Sequence, residues 1–182
     1  MKSAYEHVVP RAQRIIDEVV YATVTTVNGN GEPRSRIVHP VWRLPSNPGQ
    51  ALGLVTSRPT ALTHKHLTSN ANVSCSYWSP AHDAVYLDCR ARSATQEELQ
   101  SAWDLVLATT GPTAFDPEPI YREPSPASFS AILLQPFRIR VVEAVNLATA
   151  GPYPYWSSAT IEHGVAHSLT DPVDGLRVGP AA

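Results

Sequence analysis

Residues 21–42 read Y-A-T-V-T-T-V-N-G-N-G-E-P-R-S-R-I-V-H-P-V-W. The first seven are rich in β-branched and aromatic side chains, which suit a pleated, half-buried surface. Asn28-Gly29-Asn30-Gly31 follows, a run of residues that tolerate positive φ, and then R-S-R-I-V-H-P-V-W over 34–42. Two strand-like runs around such a turn predict a β-hairpin. Pro40 lies inside the second run and brings no N–H to a ladder, so that strand is expected at a sheet edge or with a bulge.

Upstream, Ala12, Ile15, Ile16, Val19 and Val20 recur at i, i+3, i+4, i+7 and i+8. That spacing makes one apolar helix face, with Pro10 suited to the first turn. Downstream, A-L-G-L-V-T (51–56), V-S-C-S-Y-W-S (73–79) and D-A-V-Y-L-D-C-R-A (83–91) predict three strands. Residues 59–67 predict a short helix. Thr95-Gln96-Glu97-Glu98 fits a capping box before a helix whose buried stripe is Leu99, Ala102, Trp103 and Val106. Residues 109–128 hold five prolines and read as an extended excursion over the surface. F-S-A-I-L-L-Q (129–135) and F-R-I-R-V-V-E-A-V (137–145) predict two closing strands separated by Pro136. Six or seven strands with few helices between them leave no crossovers for a doubly wound sheet. A mainly β, antiparallel barrel is the reading that remains.

A chain of 182 residues has room for one domain. We expect it over residues 1–146, with a partly irregular extension over 147–182. Fourteen basic against sixteen acidic residues give a net charge of −2, without the basic excess that nucleic-acid binding calls for. Charged residues make up only 16% of the chain, which suggests that part of its surface is covered by a second subunit. No apolar run reaches the roughly 20 residues that span a bilayer. Two cysteines are too few for a disulfide framework, and a soluble, cytoplasmic chain is the expectation.

The candidate chemistry is anionic recognition. Arg36 lies on the second strand of the hairpin, Thr56, Ser57 and Arg58 end the third strand, and Lys65 lies on the short helix. A strand end followed by a helix start suits an anion, and guanidinium and ammonium groups add charge. His64 and His66 stand two apart and point to different sides of a helix, so no metal site is expected. Cys75 and Cys89 read as small buried hydrophobes, and no catalytic residue can be singled out.

The order of S-R-I-V, V-T-S-R, Lys65, L-T-S-N-A-N-V-S-C-S-Y-W and F-S-A-I-L-L-Q-P-F-R-I-R-V-V resembles the pyridoxamine 5'-phosphate oxidase-like family of FMN-binding split barrels, over about Ala12 to Asn146. The resemblance implies a six- to seven-stranded antiparallel split barrel and a homodimer with cofactor clefts at its interface. It implies FMN as cofactor, with the deazaflavin coenzyme F-420 as the alternative. Arg36, Arg58 and Lys65 would hold the phosphate, Thr56 and Ser57 would donate to phosphate or ribityl oxygens, and Ile37 and Val38 would line the isoalloxazine. Trp156 would cover that ring from the partner subunit. The implied activity is hydride transfer to or from a small substrate; a non-catalytic flavin or haem binder is the other reading. Val41 stands where the full oxidase pattern has a basic residue, and D-G-L-R-V-G-P (174–180) lacks the pattern that reads pyridoxal phosphate. Vitamin B6 oxidation is therefore not expected.

Overall fold

The computed structural model describes residues 4–147 and 153–158. Helix α1 (Ala4–Val19) starts two turns before the sequence expectation and carries Pro10 in its interior. An interior proline costs a helix about 3 kcal/mol. Burial of Tyr5 and Val8 on the same side as Ala12, Ile15 and Ile16 offsets that cost.

The hairpin forms as β1 (Ala22–Val27) and β2 (Pro33–Val38), in register from Ala22 opposite Val38 to Val27 opposite Pro33. Gly31 takes φ +83°, where its missing Cβ is needed. Pro40 does more than sit at an edge. The chain leaves β2 at His39 and begins β3 (Pro40–Arg43), which pairs with β4 (Leu52–Ser57) instead of with β1. One run of sequence therefore serves two strands.

Helix α2 (Leu62–Ser69) leads to β5 (Asn72–Trp78) and β6 (Ala84–Ser93). A capping box formed by Thr95 and Glu98 opens α3 (Leu99–Leu107), and Leu99, Ala102, Trp103 and Val106 are buried as the stripe predicts. The proline-rich stretch contains a single helical turn, α4 (Glu118–Tyr121), whose Tyr121 is buried. The two closing strands are one strand, β7 (Ser130–Val142). Pro136 is accommodated by a bulge: Asp88 faces Arg138 and Cys89 faces Pro136, which leaves Phe137 unpaired. After the short turn α5 (Ala144–Leu147), β8 (Tyr155–Ser157) pairs with β7. The remainder of the C-terminal extension lies outside the described residues.

All pairings are antiparallel, and the order along the sheet is β2-β1-β5-β6-β7-β4-β3. The first and last strands of that order are joined in sequence through His39 alone. The sheet therefore curls until its two ends meet, and the barrel stays split between β2 and β3. One core lies inside the curl under α1, with Ile15, Ile16, Val73, Cys75, Leu87 and Ile139. A second lies under α3, with Leu54, Leu99, Trp103, Phe129 and Leu133. Cys75 and Cys89 are both free and buried. Among the described residues no helix is long and apolar enough to cross a membrane.

Candidate functional site

Side chains on a strand alternate between faces. On β1 the buried face carries Ala22, Val24 and Thr26. Arg36 sits opposite Val24 and Val38 opposite Ala22, so both share that face. The face opens into a cavity of about 340 Å3 beside the end of β4 and the start of α2. Val24, Val38, Val55, Val73, Ile132 and Leu134 form its apolar wall. Arg36, Thr56, Ser57 and Arg58 supply polar groups, with Thr26, Thr60 and Thr63 beside them.

Five of the eight residues singled out in the sequence thus meet in one place: Arg36, Val38, Thr56, Ser57 and Arg58. Ile37 does not join them. As the neighbour of Arg36 and Val38 it points to the other face and is 69% exposed. Lys65 faces a second cavity, of about 310 Å3, between the hairpin tip and α2. Trp156 lies on β8 and packs edge-on against Tyr5 of its own chain, with ring centroids 4.8 Å apart, outside the lining of either cavity.

The polar groups are held by partners behind them. Arg36 donates from Nη1 to Thr26 Oγ1 at 3.0 Å and to the Arg34 carbonyl at 3.2 Å, and its other N–H groups remain for a ligand. Thr26 Oγ1 also lies 2.8 Å from His66 Nδ1. Burial holds the His66 imidazole below its usual titration range, and the positive charges of Arg36, Arg34 and Lys65 add to the effect. Ser57 Oγ lies 2.9 Å from His64 Nε2, and His64 Nδ1 lies 2.6 Å from Ser93 Oγ. Burial likewise lowers the titration of His64. Tyr121, from the proline-rich stretch, donates its hydroxyl to Thr56 Oγ1 at 3.2 Å. That bond leaves the Thr56 proton free to point elsewhere.

Sequence reasoning missed Thr26, Thr60, Thr63 and Tyr121, and it did not give His64 its partners. Thr26 had a readable signal, as a polar residue on the inward register of an alternating strand. The contacts of His64 with Ser57 and Ser93, and of Tyr121 with Thr56, span 7, 29 and 65 residues and have no local signature.

The chemistry of this set fits a phosphorylated planar ligand. Among the described residues no carboxylate pairs with Arg36, Arg58 or Lys65, and no carboxylate lines the first cavity. Two guanidinium groups beside hydroxyl donors match phosphate oxygens. The valine and isoleucine wall offers a dry surface to a flat ring.

Solved structures share the architecture. A NimC/NimA family protein from Clostridium acetobutylicum superposes with a TM-score of 0.60 at 16% identity, over 85% of this chain and 95% of that one. A pyridoxamine 5'-phosphate oxidase-related, FMN-binding protein from Nostoc punctiforme gives 0.55 at 16% identity, over 84% and 86%. This chain has the pyridoxamine 5'-phosphate oxidase-like split-barrel fold. A haem-binding protein from Mycobacterium smegmatis carries the split barrel too, with a TM-score of 0.59 at 18% identity, over 86% of this chain and 59% of that one. No family model matches the sequence, and no curated protein matches it. On this split barrel the cavity lies where β1, β2, β4 and β7 converge on the N-terminal end of α2.

Proposed function

We propose that the chain is a flavin-dependent oxidoreductase that binds FMN in the cavity between β2, β4 and α2. The observation that carries this reading is the meeting of Arg36 and Arg58 with Thr56 and Ser57 over an apolar wall, with no carboxylate among the described residues paired with either arginine. Bound FMN would supply hydride chemistry to and from a small substrate. The chain's own residues do the rest. Arg36 and Arg58 bind the phosphate, the Thr56 and Ser57 hydroxyls donate to phosphate or ribityl oxygens, and Val38 packs against the ring system and keeps water away. Such chemistry needs no acid–base triad from the protein.

The working unit under this reading is a homodimer with the clefts at its interface. Tyr21, Ile37, Trp78 and Tyr155 are each more than half exposed, a large apolar outlay for a free surface. Ile37, turned away from its own cavity, would lie in that interface, and Trp156 would reach the ring only from the partner subunit.

The apolar wall and cationic rim also suit a deazaflavin coenzyme with its phosphate, and that is the second reading. A non-catalytic flavin or haem carrier is the third. Turnover separates it from the others. With a nicotinamide reductant and a quinone or dye acceptor, the FMN-loaded protein should consume reductant continuously. Stoichiometric binding with no turnover on any acceptor would favour the carrier.

A further inference from the structure

The second cavity is the strongest feature that the flavin site leaves unused. It is a slot between the hairpin tip, with Asn28, Gly29 and Asn30, and α2, with Lys65, His66 and Ser69; Arg34 of β2 stands beside it. The slot is narrow at Gly29, where an added Cβ would come within 3.3 Å of Ser69 Oγ. The two cavities adjoin. Leu62 lines both, and Thr26 in the first wall lies 2.8 Å from His66 Nδ1 in the second.

The two compartments differ in chemistry. The first is walled by valine, isoleucine and leucine. The second adds two cations, two asparagines, a histidine and a serine to the side chain of Leu62. Glu32 beside the hairpin tip is engaged: it accepts from Asn28 Nδ2 at 2.7 Å and pairs with Arg34 at 3.3 Å. No carboxylate pairs with Lys65 among the described residues. Thr26 has one hydroxyl proton. Thr26 Oγ1 accepts from Arg36; with its own proton given to His66 Nδ1, the neutral ring would carry a proton on Nε2 as a further donor. Burial opposes protonation of His66 most, and Arg36, Arg34 and Lys65 stand close enough to add to that opposition.

We propose that the slot between the hairpin tip and α2 is a second anion subsite, and that it takes an anionic group carried by the same ligand beyond the phosphate held by Arg36 and Arg58. The ligand class is a flavin-type cofactor longer than FMN, with either a second phosphate, as in a dinucleotide, or the carboxylates of an acidic tail. The inference rests on the flavin-site reading and gives Lys65 a role distinct from the first clamp: it sets the length of cofactor accepted. Arg34 and Lys65 bind, and the asparagines and His66 orient.

The test is a titration of FMN, FAD and the deazaflavin coenzyme against the wild type and the Arg34→Met, Lys65→Met double variant. Both substitutions lie on exposed stems, and a retained thermal midpoint checks folding. Loss of two charge-assisted contacts should weaken FAD, the tailed deazaflavin or both by about tenfold or more, and FMN by less than about twofold. FAD weakened alone points to the second phosphate, and the deazaflavin weakened alone to the carboxylate tail. Equal weakening of FMN would overturn the proposal, because the slot would then hold the first phosphate. No weakening of any ligand would overturn it as well. Inorganic pyrophosphate, followed by thermal shift, is the flavin-free control. If no flavin binds the wild type but pyrophosphate stabilises it and fails to stabilise the double variant, the slot stands and the flavin reading falls. If pyrophosphate stabilises neither protein and no flavin binds, both fall.

Discussion

Gly53 shows how one missing methyl group sets a wall of the barrel. It faces Trp42 across the β3–β4 ladder, and a Cβ there would lie 2.5 Å from the indole ring. The indole is thereby held where its Nε1 donates to the buried Tyr77 hydroxyl at 2.7 Å. Burial in turn pushes Tyr77 ionisation up, so the hydroxyl stays protonated. Gly53→Ala should displace Trp42, strand that hydrogen bond and cost about 2–3 kcal/mol, read from urea unfolding. An unchanged midpoint would contradict the close packing. The histidines make a second prediction at this scale. His39, His64 and His66 are each held below the ordinary value of 6.5 by burial. The unfolded chain therefore takes up their protons first as pH falls. Their contribution to stability is complete above about pH 6.5 and is lost as pH drops through the depressed folded values. The urea midpoint should fall between pH 7 and pH 5, and His64→Gln with His66→Gln should flatten that fall. A slope that the double variant leaves unchanged would place the linkage elsewhere.

At the scale of elements, alternation and stripes were legible because they are local. The hairpin, the capping box and the buried face of α3 could be read from spacing alone. So could the sharing of one face by Arg36 and Val38, and the same rule turns Ile37 away. The prolines were less legible. Pro10 and Pro136 read locally as a helix start and a strand break, but packing by Tyr5 and a bulge at Phe137 carry the elements through. Pro40 marked a real boundary, and its consequence, a chain passing from one end of the sheet to the other, depends on contacts distant in sequence. Lys65 was grouped with Arg58 because both follow β4, yet one helical turn separates the cavities they face. The start of α3 offers a prediction of its own. Glu98 accepts from Thr95 N at 2.8 Å and from Arg92 Nη1 and Nη2 at 2.6 and 2.7 Å. Arg92 beside it holds its carboxyl below the usual carboxylate range. Both side chains are largely shielded, with 18% and 20% exposure. Glu98→Gln should cost about 2 kcal/mol, since a charge-assisted pair is lost and Arg92 keeps a largely shielded charge. Thermal unfolding checks it, and a variant as stable as the wild type would contradict it.

For the whole molecule, the curled sheet explains why a cavity opens at one end of the barrel seam. Joining β2 to β3 through one residue brings the ends of the sheet together without pairing them, and the cavity opens beside that seam. The exposed apolar residues on the outer face give the assembly prediction. The chain should sediment at twice its own mass at micromolar concentration, and Ile37→Glu should shift it toward monomer. A wild-type monomer at that concentration would remove the interface cleft from the account. The cavity itself is tested most directly by comparing FMN with riboflavin, which lacks only the phosphate. Titrations against the wild type and against Arg36→Gln, Arg58→Gln should show FMN binding the wild type at least about 100-fold more tightly than riboflavin, as two charge-assisted contacts require. The double variant should lose that preference while keeping its affinity for riboflavin. Equal affinity for the two ligands in the wild type, or a preference that survives in the variant, would contradict the phosphate clamp on which the account rests.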